Sequence, residues 1–551
     1  MEERIRESIT EFLAQKSAGS VSFVVERPTA MGHGDYATNA ALAAAKVLGA
    51  NPRSLADELA GYLMNALGGE TASHVAVAGP GFVNITLARE AVALAVAEAD
   101  ARGAEWGKGS ASAGQRVMVE YTDPNPFKEM HIGHLMSNII GESIARLIGN
   151  EGATVIRANY QGDVGPHVAK AIWGLRKAGI SEPASAKELG DAYAEGSRAY
   201  EDSLGAKAEI DAINQEIYKG ADHALMEEWR KGRDVSLATF EKIYEVLGTH
   251  FDYYFYESET SESGACLVRD GLARGIFEES EGAVIYRGEK QGLHTLVFIT
   301  SKGTPTYEAK DIGLAFLKEE RVQTDRSIIV TAAEQIGHFK VMFAALSELA
   351  PAIAAKTTHV PHGLLRLTTG KMSSREGNVI TAAGFIEDIT RKAGEKNADS
   401  LVAEQVALGA IKYMVLRQGP GSDIIFDPEK SLSLEGDSGP YLQYALVRAK
   451  SVLAAAEGSG APAAGAPSAP YPIERLLMHF PEVAARAARE LAPNLLVTYL
   501  TELAGEWNSF YAAERIVGGN HEMHKLMLAR AFANTMTNGL ALLGIPVPEK
   551  M

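Results

Sequence analysis

The sequence contains one cysteine, no long apolar run and fewer basic than acidic residues. A single thiol, Cys266, among 551 residues excludes an intrachain disulfide and a zinc site made of several thiolates. The most apolar stretches carry charges well before the ~18 residues of a membrane span are reached. The opening MEERIRESITEF has alternating charges and no apolar core, so it predicts no secretion signal. Together these absences favour a cytoplasmic protein outside the membrane.

The acidic excess is unevenly distributed. The chain has 53 basic and 70 acidic residues, a net charge of -17, which taken alone argues against a nucleic-acid partner. Residues 182–262 hold 8 basic and 19 acidic residues, a net of -11, whereas the rest of 111–400 holds 24 and 23. A near-neutral body can still present local basic faces to a polyanion. We therefore expect 182–262 to face solvent, away from any bound phosphates.

The length exceeds what one hydrophobic core supports, so several domains are expected. Apolar residues at helical spacing near the start, and an alternating stretch at 75–87 broken by Gly-Pro-Gly, predict a small α+β domain over 1–108. The glycine- and serine-containing stretch 102–114 is typical of a linker.

The pattern then changes to buried strands alternating with helices. Strands are predicted at 117–121, 155–160 and 327–332. This alternation is typical of βαβ units, so we expect a Rossmann-type parallel-sheet domain over 109–395. A polar, helix-favouring insertion interrupts it near 182–262.

Long helical patterns without strands follow. They predict an all-α helical-bundle domain over 396–551, with a flexible Ala-, Gly- and Pro-rich loop at 457–472. The fold class is thus α/β, with a small α+β domain before the parallel sheet and a helical domain after it.

Two histidines follow the first predicted strand, in the order His131-Ile132-Gly133-His134, where a helical pattern begins. Side chains three apart on a first turn face the same side. Free N–H groups and the positive end of the helix dipole attract phosphate there, and Gly133 leaves room for a nucleotide. The motif predicts a nucleotide site, although capping or surface histidines would leave the same pattern.

A second motif, GKMSSREGN at 370–378, lies well downstream of the histidines. Lys371, Met372, Ser373 and Ser374 form a cationic, hydroxyl-bearing segment able to close over a triphosphate. An exposed basic turn is the alternative for this segment alone. In this order, the two motifs resemble the HIGH and KMSKS signatures of class I aminoacyl-tRNA synthetases.

The surrounding sequence resembles the arginyl-tRNA synthetases in particular. The resembling segments are 33–39, 81–84, 119–147, 157–165, 307–311, 334–339, 426–427, 439–444 and the ending LLGIPVPEKM. The resemblance covers essentially the whole chain, with 182–262 the least matched part. It implies an arginine–tRNA ligase that forms arginyl-adenylate from ATP, releases pyrophosphate and transfers arginine to the 2′-hydroxyl of the terminal adenosine of tRNA(Arg).

The resemblance also implies an arginine site. Asp311, Tyr307 and Gln335 are assigned to the side chain of arginine, and Glu120, Asn125 and Gln335 to a polar wall around its head and tail. A planar, permanently charged guanidinium is best held by carboxylates in bidentate fashion, which agrees with Asp311. For Asp311 alone an ordinary helix salt bridge is the alternative, and for Glu120 a strand-end cap.

The implied catalytic groups are His131, His134, Lys371 and Lys128. His131, Gly133 and His134 would bind ATP together with 371–374, and Mg²⁺ would be carried by ATP or pyrophosphate rather than held by a protein site. Ser374 stands where the class signature has a second lysine. We expect Lys128, three residues before His131, to replace that charge; the alternative is a solvated loop lysine.

Two tRNA-binding regions are implied as well. Phe82 and Asn84 match positions of the family's N-terminal domain that meet the tRNA elbow at the D-loop, where stacking and an amide suit a splayed base. Tyr441, Gln443 and Tyr444 begin the family's anticodon-binding domain. Core packing is the alternative for Phe82 and for one of the two tyrosines, and a turn position is the alternative for Asn84.

Two other functions fit part of the sequence. One is an HxGH nucleotidyltransferase that makes small adenylates without tRNA, but such chains are shorter and lack a long helical domain. The other is a non-catalytic tRNA-binding paralogue, which would be expected to have lost His131, His134 or Lys371. A monomer is expected from the family alone.

Overall fold

The computed structural model describes residues 1–28, 31–367, 380–457 and 465–551. The first segment is a small α+β domain with an antiparallel sheet in the strand order β1-β2-β4-β3. Its elements are α1 Glu2–Gln15, β1 Val25–Glu26, β2 Tyr36–Thr38, α2 Ala40–Leu48, α3 Pro52–Leu67, β3 Ala72–Ala78, β4 Phe82–Leu87 and α4 Arg89–Arg102. Strands β3 and β4 pair around a tight turn, which confirms the strand–turn–strand prediction for 75–87.

The central segment is a doubly covered parallel sheet. Its elements are β5 Arg116–Glu120, α5 Ile132–Asn150, β6 Thr154–Gln161, α6 Pro166–Ala178, α7 Ala186–Asp202, α8 Leu204–Lys219, α9 His223–Leu247, β7 Tyr253–Tyr256, α10 Glu257–Ala273, β8 Glu278–Ser280, β9 Ala283–Tyr286, β10 Leu296–Ile299, α11 Tyr307–Arg321, β11 Arg326–Ala332, α12 Ile336–Leu349, α13 Pro351–Lys356, β12 Thr357–His362, β13 Leu365–Leu367 and α14 Ala382–Gly394. Strands β8, β9 and β10 form a separate antiparallel sheet.

The parallel sheet has the strand order β12-β11-β5-β6-β7. From β5 the chain builds outward through β6 and β7 on one side, and through β11 and β12 on the other. The reversal of winding between β5 and β11 opens a crevice at the carboxyl ends of these strands, which is where ligands bind in open α/β sheets. The three predicted strands are all members of this sheet.

Continuous apolar runs place the sheet in the core. Val117 and Val119 of β5 and Ile328 and Val330 of β11 are fully buried against the apolar face of α5. Each such side chain contributes about 1.5–3 kcal/mol on burial. Gly141 of α5 allows the helix to approach the sheet, because a Cβ there would overlap the ring of Tyr121.

The polar insertion is helical as predicted, but it ends earlier than its composition suggests. Helices α7, α8 and α9 occupy most of 182–262, and β7 then rejoins the parallel sheet beside β6. The tyrosine-rich stretch Tyr253–Tyr256 is therefore a sheet strand. Its sequence gives little sign of a strand, because its flanks are polar and Phe255 is its one fully buried residue.

The last segment is mostly helical. Its elements are α15 Ser400–Leu416, β14 Ile424–Phe426, α16 Pro428–Ser431, α17 Gly439–Ala456, α18 Pro472–Leu477, α19 Phe480–Glu490, α20 Pro493–Ala513 and α21 Glu522–Leu542. The short strand β14 pairs in parallel with β13, an exception to the prediction that strands stop near 395. Of the predicted loop 457–472, residues 458–464 lie outside the described residues. Across the described ranges no helix is both long and apolar enough to cross a membrane.

The chain divides into two compact units. One comprises Met1–Gly107, Tyr444–Ala484 and Tyr499–Gly539, and the other comprises Lys108–Gln443, Ala485–Thr498 and Leu540–Met551. The parallel sheet and its crevice lie wholly in the second unit. The boundaries predicted at 108/109 and 395/396 stay predictions.

Candidate active site

A cavity of about 550 Å³ opens at the carboxyl ends of the parallel strands. It combines residues that follow β5, β6, β7 and β11, as expected at a switch of winding direction. The predicted residues that line it are Glu120, Asn125, His131, Gly133, His134, Tyr307, Asp311 and Gln335. Side chains up to 215 positions apart in the sequence thus meet in one cavity.

The two histidines cap the first turn of α5. The Nδ1 atom of His131 accepts a hydrogen bond from the Gly133 amide at 3.1 Å, and Nδ1 of His134 accepts one from the His131 amide at 3.1 Å. Their rings stack with centroids 3.6 Å apart. Gly133 makes this possible, since a Cβ there would lie only 3.0 Å from the His131 ring. The histidines therefore do cap the helix, and they line the cavity as well.

This capping fixes the state of both rings. A ring nitrogen that accepts an N–H bond carries no proton, so each neutral imidazole has its hydrogen on Nε2. Burial, followed by the charge of Lys128, lowers the pKa of His131; burial and the neighbouring His131, Lys128 and His362 lower the pKa of His134 well below its usual value. The pair thus consists of two neutral Nε2–H donors at neutral pH.

The segment that follows the second motif is joined to the first. The Ile132 amide donates to the Ile380 carbonyl at 3.1 Å, and the Ala382 amide donates to the Met130 carbonyl at 2.7 Å. Residue 380 comes two positions after the predicted loop 370–378. The predicted residues Lys371, Met372, Ser373 and Ser374 themselves lie outside the described residues.

Lys128 lies beside the cavity without lining it. Its ammonium is 4.4 Å from the ring centroid of Tyr193 on α7, a cation–π contact supplied by the insertion. Its charge contributes to the lowered pKa of both motif histidines. The structure therefore brings Lys128 within electrostatic reach of His131 and His134, on a support that the sequence did not suggest.

Ion pairs also line the cavity. Glu120, at the end of β5, pairs with Lys318 of α11 at 2.5 Å, and both side chains are buried. Burial raises the pKa of Glu120, and the Lys318 ammonium opposes that rise. Glu120 is therefore not a strand-end cap, the alternative raised from the sequence. It belongs to a buried ion pair that lines the cavity.

Asp311 already has a cationic partner in the protein. Its Oδ2 is 2.6 Å from Nε2 of His338 at the start of α12, and Oε1 of Glu308 is 3.3 Å from Nδ1 of the same ring. Burial alone would lower the pKa of His338, but hydrogen bonds to Asp311 and Glu308 raise it to about 10. His338 is therefore an imidazolium at neutral pH.

Tyr307 begins α11 one turn before Asp311. It is 60% exposed and lines the cavity, and the Lys310 ammonium is 5.3 Å from its ring centroid. Lys310 pairs at 2.6 Å with Glu257, the first residue of α10, and both are buried. Burial is the main reason that the pKa of Glu257 rises to about 7. The ring of Tyr307 thus lies beside the buried ion pair of Lys310 and Glu257.

Asn125 and Gln335 are the remaining predicted polar groups. Asn125 lies against Gly162, where a Cβ would overlap its side-chain oxygen. Gln335 precedes α12, is exposed and also lines the cavity. Both present amides of either polarity to a ligand with an ammonium and a carboxylate.

The predicted elbow-binding residues lie on β4. Phe82 is 41% exposed, so the core-packing alternative does not describe it. Asn84 is half-buried two residues along, on the same face of the strand. The two side chains thus form one accessible aromatic and amide surface.

The residues predicted at the start of the helical domain have different environments. Tyr444 is half-buried and accepts a hydrogen bond from Arg448 at 2.9 Å. The Arg448 guanidinium lies 4.6 Å from the ring centroid of Tyr444 and 4.9 Å from that of Tyr511. Tyr441 is half-buried as well.

Gln443 is a correction. It is fully buried, and its Nε2 donates to the Gln405 carbonyl at 2.9 Å and the Pro546 carbonyl at 2.6 Å. A side chain used in this way crosslinks the helix to the chain end and does not face a nucleic acid, so its assignment to tRNA is wrong.

Sequence reasoning assigned no role to the cations of this cavity. Lys318, Lys310 and His338 each neutralise a carboxylate that faces it. Lys318 is seven residues after Asp311 on the same helix face, and that spacing was the available signal. His338 gave none, because its partners lie on another helix.

Three family profiles match the chain in succession. The arginyl tRNA synthetase N-terminal domain matches residues 1–87, the catalytic domain of class I (R) tRNA synthetases matches 99–428, and the DALR anticodon binding domain matches 442–551. Together they follow the order of segments described above.

Curated relatives and a solved structure agree over the full length. An arginine–tRNA ligase of Treponema pallidum is 33% identical over 565 residues, covering 96% of this chain and 95% of the relative. One of Flavobacterium psychrophilum is 30% identical over 543 residues, covering 91% and 90%. The arginyl-tRNA synthetase of Thermus thermophilus has a TM-score of 0.82 at 29% identity and covers 100% of both chains.

Proposed function

The chain belongs to the arginyl-tRNA synthetases of class I, and from this premise we propose how its residues carry out the reaction. Its activity is that of an arginine–tRNA ligase, with arginine, ATP and tRNA as substrates. The observation that carries the assignment of roles is the single cavity that holds both a phosphate-directed histidine pair and a carboxylate-rich wall.

Activation joins arginine to ATP. A carboxylate oxygen of arginine attacks the α-phosphorus, the bond to the bridging oxygen breaks, and pyrophosphate leaves with its electron pair. The nucleophile is already ionised at neutral pH, so positioning and neutralisation of developing charge supply the catalysis. We assign the Nε2–H groups of His131 and His134 to phosphate oxygens, with Gly133 beneath the nucleotide.

The arginine side chain is assigned to the charged wall. Asp311 takes the guanidinium, Tyr307 covers it, and Gln335 and Asn125 bind the polar groups at the head. Glu120 adds a second carboxylate at the depth of the cavity, partly neutralised by Lys318. A site that pairs a buried guanidinium rejects neutral analogues, because its carboxylates would lose their partner.

Two lysines are proposed to stabilise the negative charge that develops on the phosphates in the transition state. Lys371, with Met372, Ser373 and Ser374, is proposed to close on the β- and γ-phosphates. Support comes from residues 380–382, which follow this loop and hydrogen-bond to the start of α5. Lys128 is proposed to replace the charge that Ser374 lacks, since it already acts on both histidines.

Transfer follows at the 2′-hydroxyl of the terminal adenosine, which attacks the carbonyl carbon of the adenylate and expels AMP. Phe82 and Asn84 are proposed to contact the tRNA elbow, and Tyr441 and Tyr444 the anticodon stem-loop. We further propose that Mg²⁺ arrives with ATP. Among the residues described, no group of three histidine, cysteine or acidic side chains forms a cation cage. A monomer in the cytoplasm is the proposed state.

Pyrophosphate exchange with each of the twenty amino acids, with and without tRNA, tests the assignment. Exchange with arginine that requires tRNA(Arg) is expected. Exchange with another acid and no tRNA would indicate an HxGH nucleotidyltransferase, and the absence of exchange a tRNA-binding paralogue. An Asp311→Asn variant should raise the KM for arginine at least tenfold, because truncating one partner of a buried charge pair costs roughly 2–5 kcal/mol.

A further inference from the structure

His338 contacts two carboxylates, one of which is proposed to bind the cationic side chain of arginine. Its Nε2 is 2.6 Å from Asp311 Oδ2 and its Nδ1 is 3.3 Å from Glu308 Oε1. A neutral imidazole has one donor and one acceptor, so it cannot donate to two carboxylates at once. The geometry therefore requires the doubly protonated, positively charged ring.

The same carboxylate is the one proposed to hold the guanidinium. A guanidinium binds a carboxylate best through both oxygens, in two parallel N–H···O bonds. One of those oxygens, Oδ2, is already bonded to His338. Two cations on one carboxylate inside a half-buried cavity repel each other, and of the two only the imidazolium can lose its charge at accessible pH.

We propose that His338 is a positioning residue that holds Asp311 in place as an imidazolium, and that the guanidinium of L-arginine displaces its Nε2 proton to solvent. The inference rests on the assignment of Asp311 to the guanidinium. The proton balance is simple. Nε2 loses its hydrogen, Nδ1 keeps its hydrogen on Glu308, and one proton leaves for each arginine bound.

The surroundings of His338 favour this exchange. Glu308 and Asp311 face His338 from α11. Burial and the positive charge of His338 lower the pKa of His359 on β12 to about 4, so the His359 ring is neutral. The ring of His294 lies against the neighbouring Gly337. Phe339 packs edge-on against His338 at 5.0 Å. His338 is thus the cation that pairs with Asp311. The positive charge of His338 is in turn stabilised by its contacts with Asp311 and Glu308.

The linkage has a definite sign. A proton that must leave before the ligand is fully held weakens binding at low pH, so apparent arginine affinity rises with pH until the free-site pKa of about 10 is reached. With one proton released, the change approaches about tenfold per pH unit. A purely structural histidine would leave arginine binding without this dependence.

Calorimetric titration of the full chain with arginine tests the proposal, at pH 7.5 in buffers of different ionisation enthalpy. A parallel titration uses 5-guanidinopentanoate, which keeps the guanidinium and carboxylate and has no titrating α-amine. We expect about one proton released per ligand for the wild type. His338→Gln, whose amide can donate to Asp311 without a charge, should release almost none.

The matched control is His359→Gln. This histidine also packs on Phe339, but it bonds to Thr331 at 2.8 Å instead of a carboxylate, so proton release should stay as in the wild type. Release by His338→Gln equal to the wild type would overturn the proposal. So would a wild type that binds the ligand without releasing a proton, which decides the matter even if the variant does not fold. If the wild type attaches arginine to tRNA(Arg) but releases no proton on binding the ligand, this inference alone is rejected. If the wild type does not attach arginine specifically, the proposed function is rejected.

Discussion

The histidines at the start of α5 and the histidine at the start of α12 line the same cavity but differ in charge. His131 and His134 accept backbone N–H bonds at Nδ1, lie near Lys128 and are neutral. His338 faces two carboxylates and is an imidazolium. Burial favours the neutral form of all three rings, so the two carboxylates beside His338 are what give that ring a different charge.

The same contrast divides the substrates. The neutral pair offers N–H donors to phosphates, which a protein can bind strongly without placing full charges near the adenosine. The carboxylates of the charged wall are paired with cations of the protein. The cavity therefore does not hold several unpaired buried anions before the guanidinium binds. Each of the following experiments alters one side of this contrast.

The largest effect is expected from Lys318→Met, on the charged side. It leaves Glu120 buried without its cation, which should lower the free energy of unfolding by about 3–5 kcal/mol. Denaturant unfolding monitored by fluorescence measures the change. The double variant Glu120→Gln/Lys318→Met should recover at least half of the loss, and a single variant as stable as the wild type would show that the pair carries no such energy.

On the neutral side, His134→Ala removes one Nε2–H donor and the acceptor for the His131 amide. The rate of activation should fall roughly 10²–10³-fold, as for loss of one donor to a developing anion. Pyrophosphate exchange with saturating arginine and tRNA reports it. His134→Gln keeps a donor and an acceptor and should regain at least part of the rate; equal rates for His134→Ala and the wild type would contradict the role.

Lys128→Ala should have a smaller effect on the same step. Losing one cation of the transition-state clamp is expected to lower the aminoacylation rate more than about threefold. Tyr193→Phe is the matched control, because it keeps the ring on which the ammonium lies and removes only the hydroxyl. A rate within threefold of the wild type for Lys128→Ala would mean that this lysine does not replace the missing charge.

The smallest effect concerns pH. Burial and Lys128 lower the pKa of His131, so the histidine pair stays deprotonated at Nδ1 through the neutral range. Removing the Lys128 charge should let that pKa rise, and the acidic limb of the activation rate should move to higher pH in Lys128→Ala. Rate profiles between pH 5 and pH 8 measure it. An unchanged limb would show that burial alone keeps the pair neutral.

The sequence predicted much of the fold from periodicity. The strands at 117–121, 155–160 and 327–332 contain buried apolar residues, in short unbroken runs at 117–119 and 328–330. The edge strand β7 and the short strand β14 were missed, because they bury one face and lie among polar residues. A local sequence pattern indicates which residues are buried. It does not indicate pairing with a strand that is distant in the chain, as β7 pairs with β6 and β14 with β13.

The candidate site was predicted in the same uneven way. Eight of the assigned residues line one cavity, because motifs record where catalytic chemistry sits along a chain. The prediction for Gln443 was wrong, because an amide at a helix start looks the same in sequence whether it faces solvent or two buried carbonyls.

The amino-acid sequence was enough to predict the order of the domains, three of the five strands of the parallel sheet, and the family to which the chain belongs. Those properties follow from local periodicity and from motifs whose residues are near one another in the chain. The charge states of the site could not be predicted in this way, since the pKa values of Glu120 and His338 are shifted by burial and by partners from other elements. Coulomb energies act over a few ångströms in space, and distance along the chain does not record them.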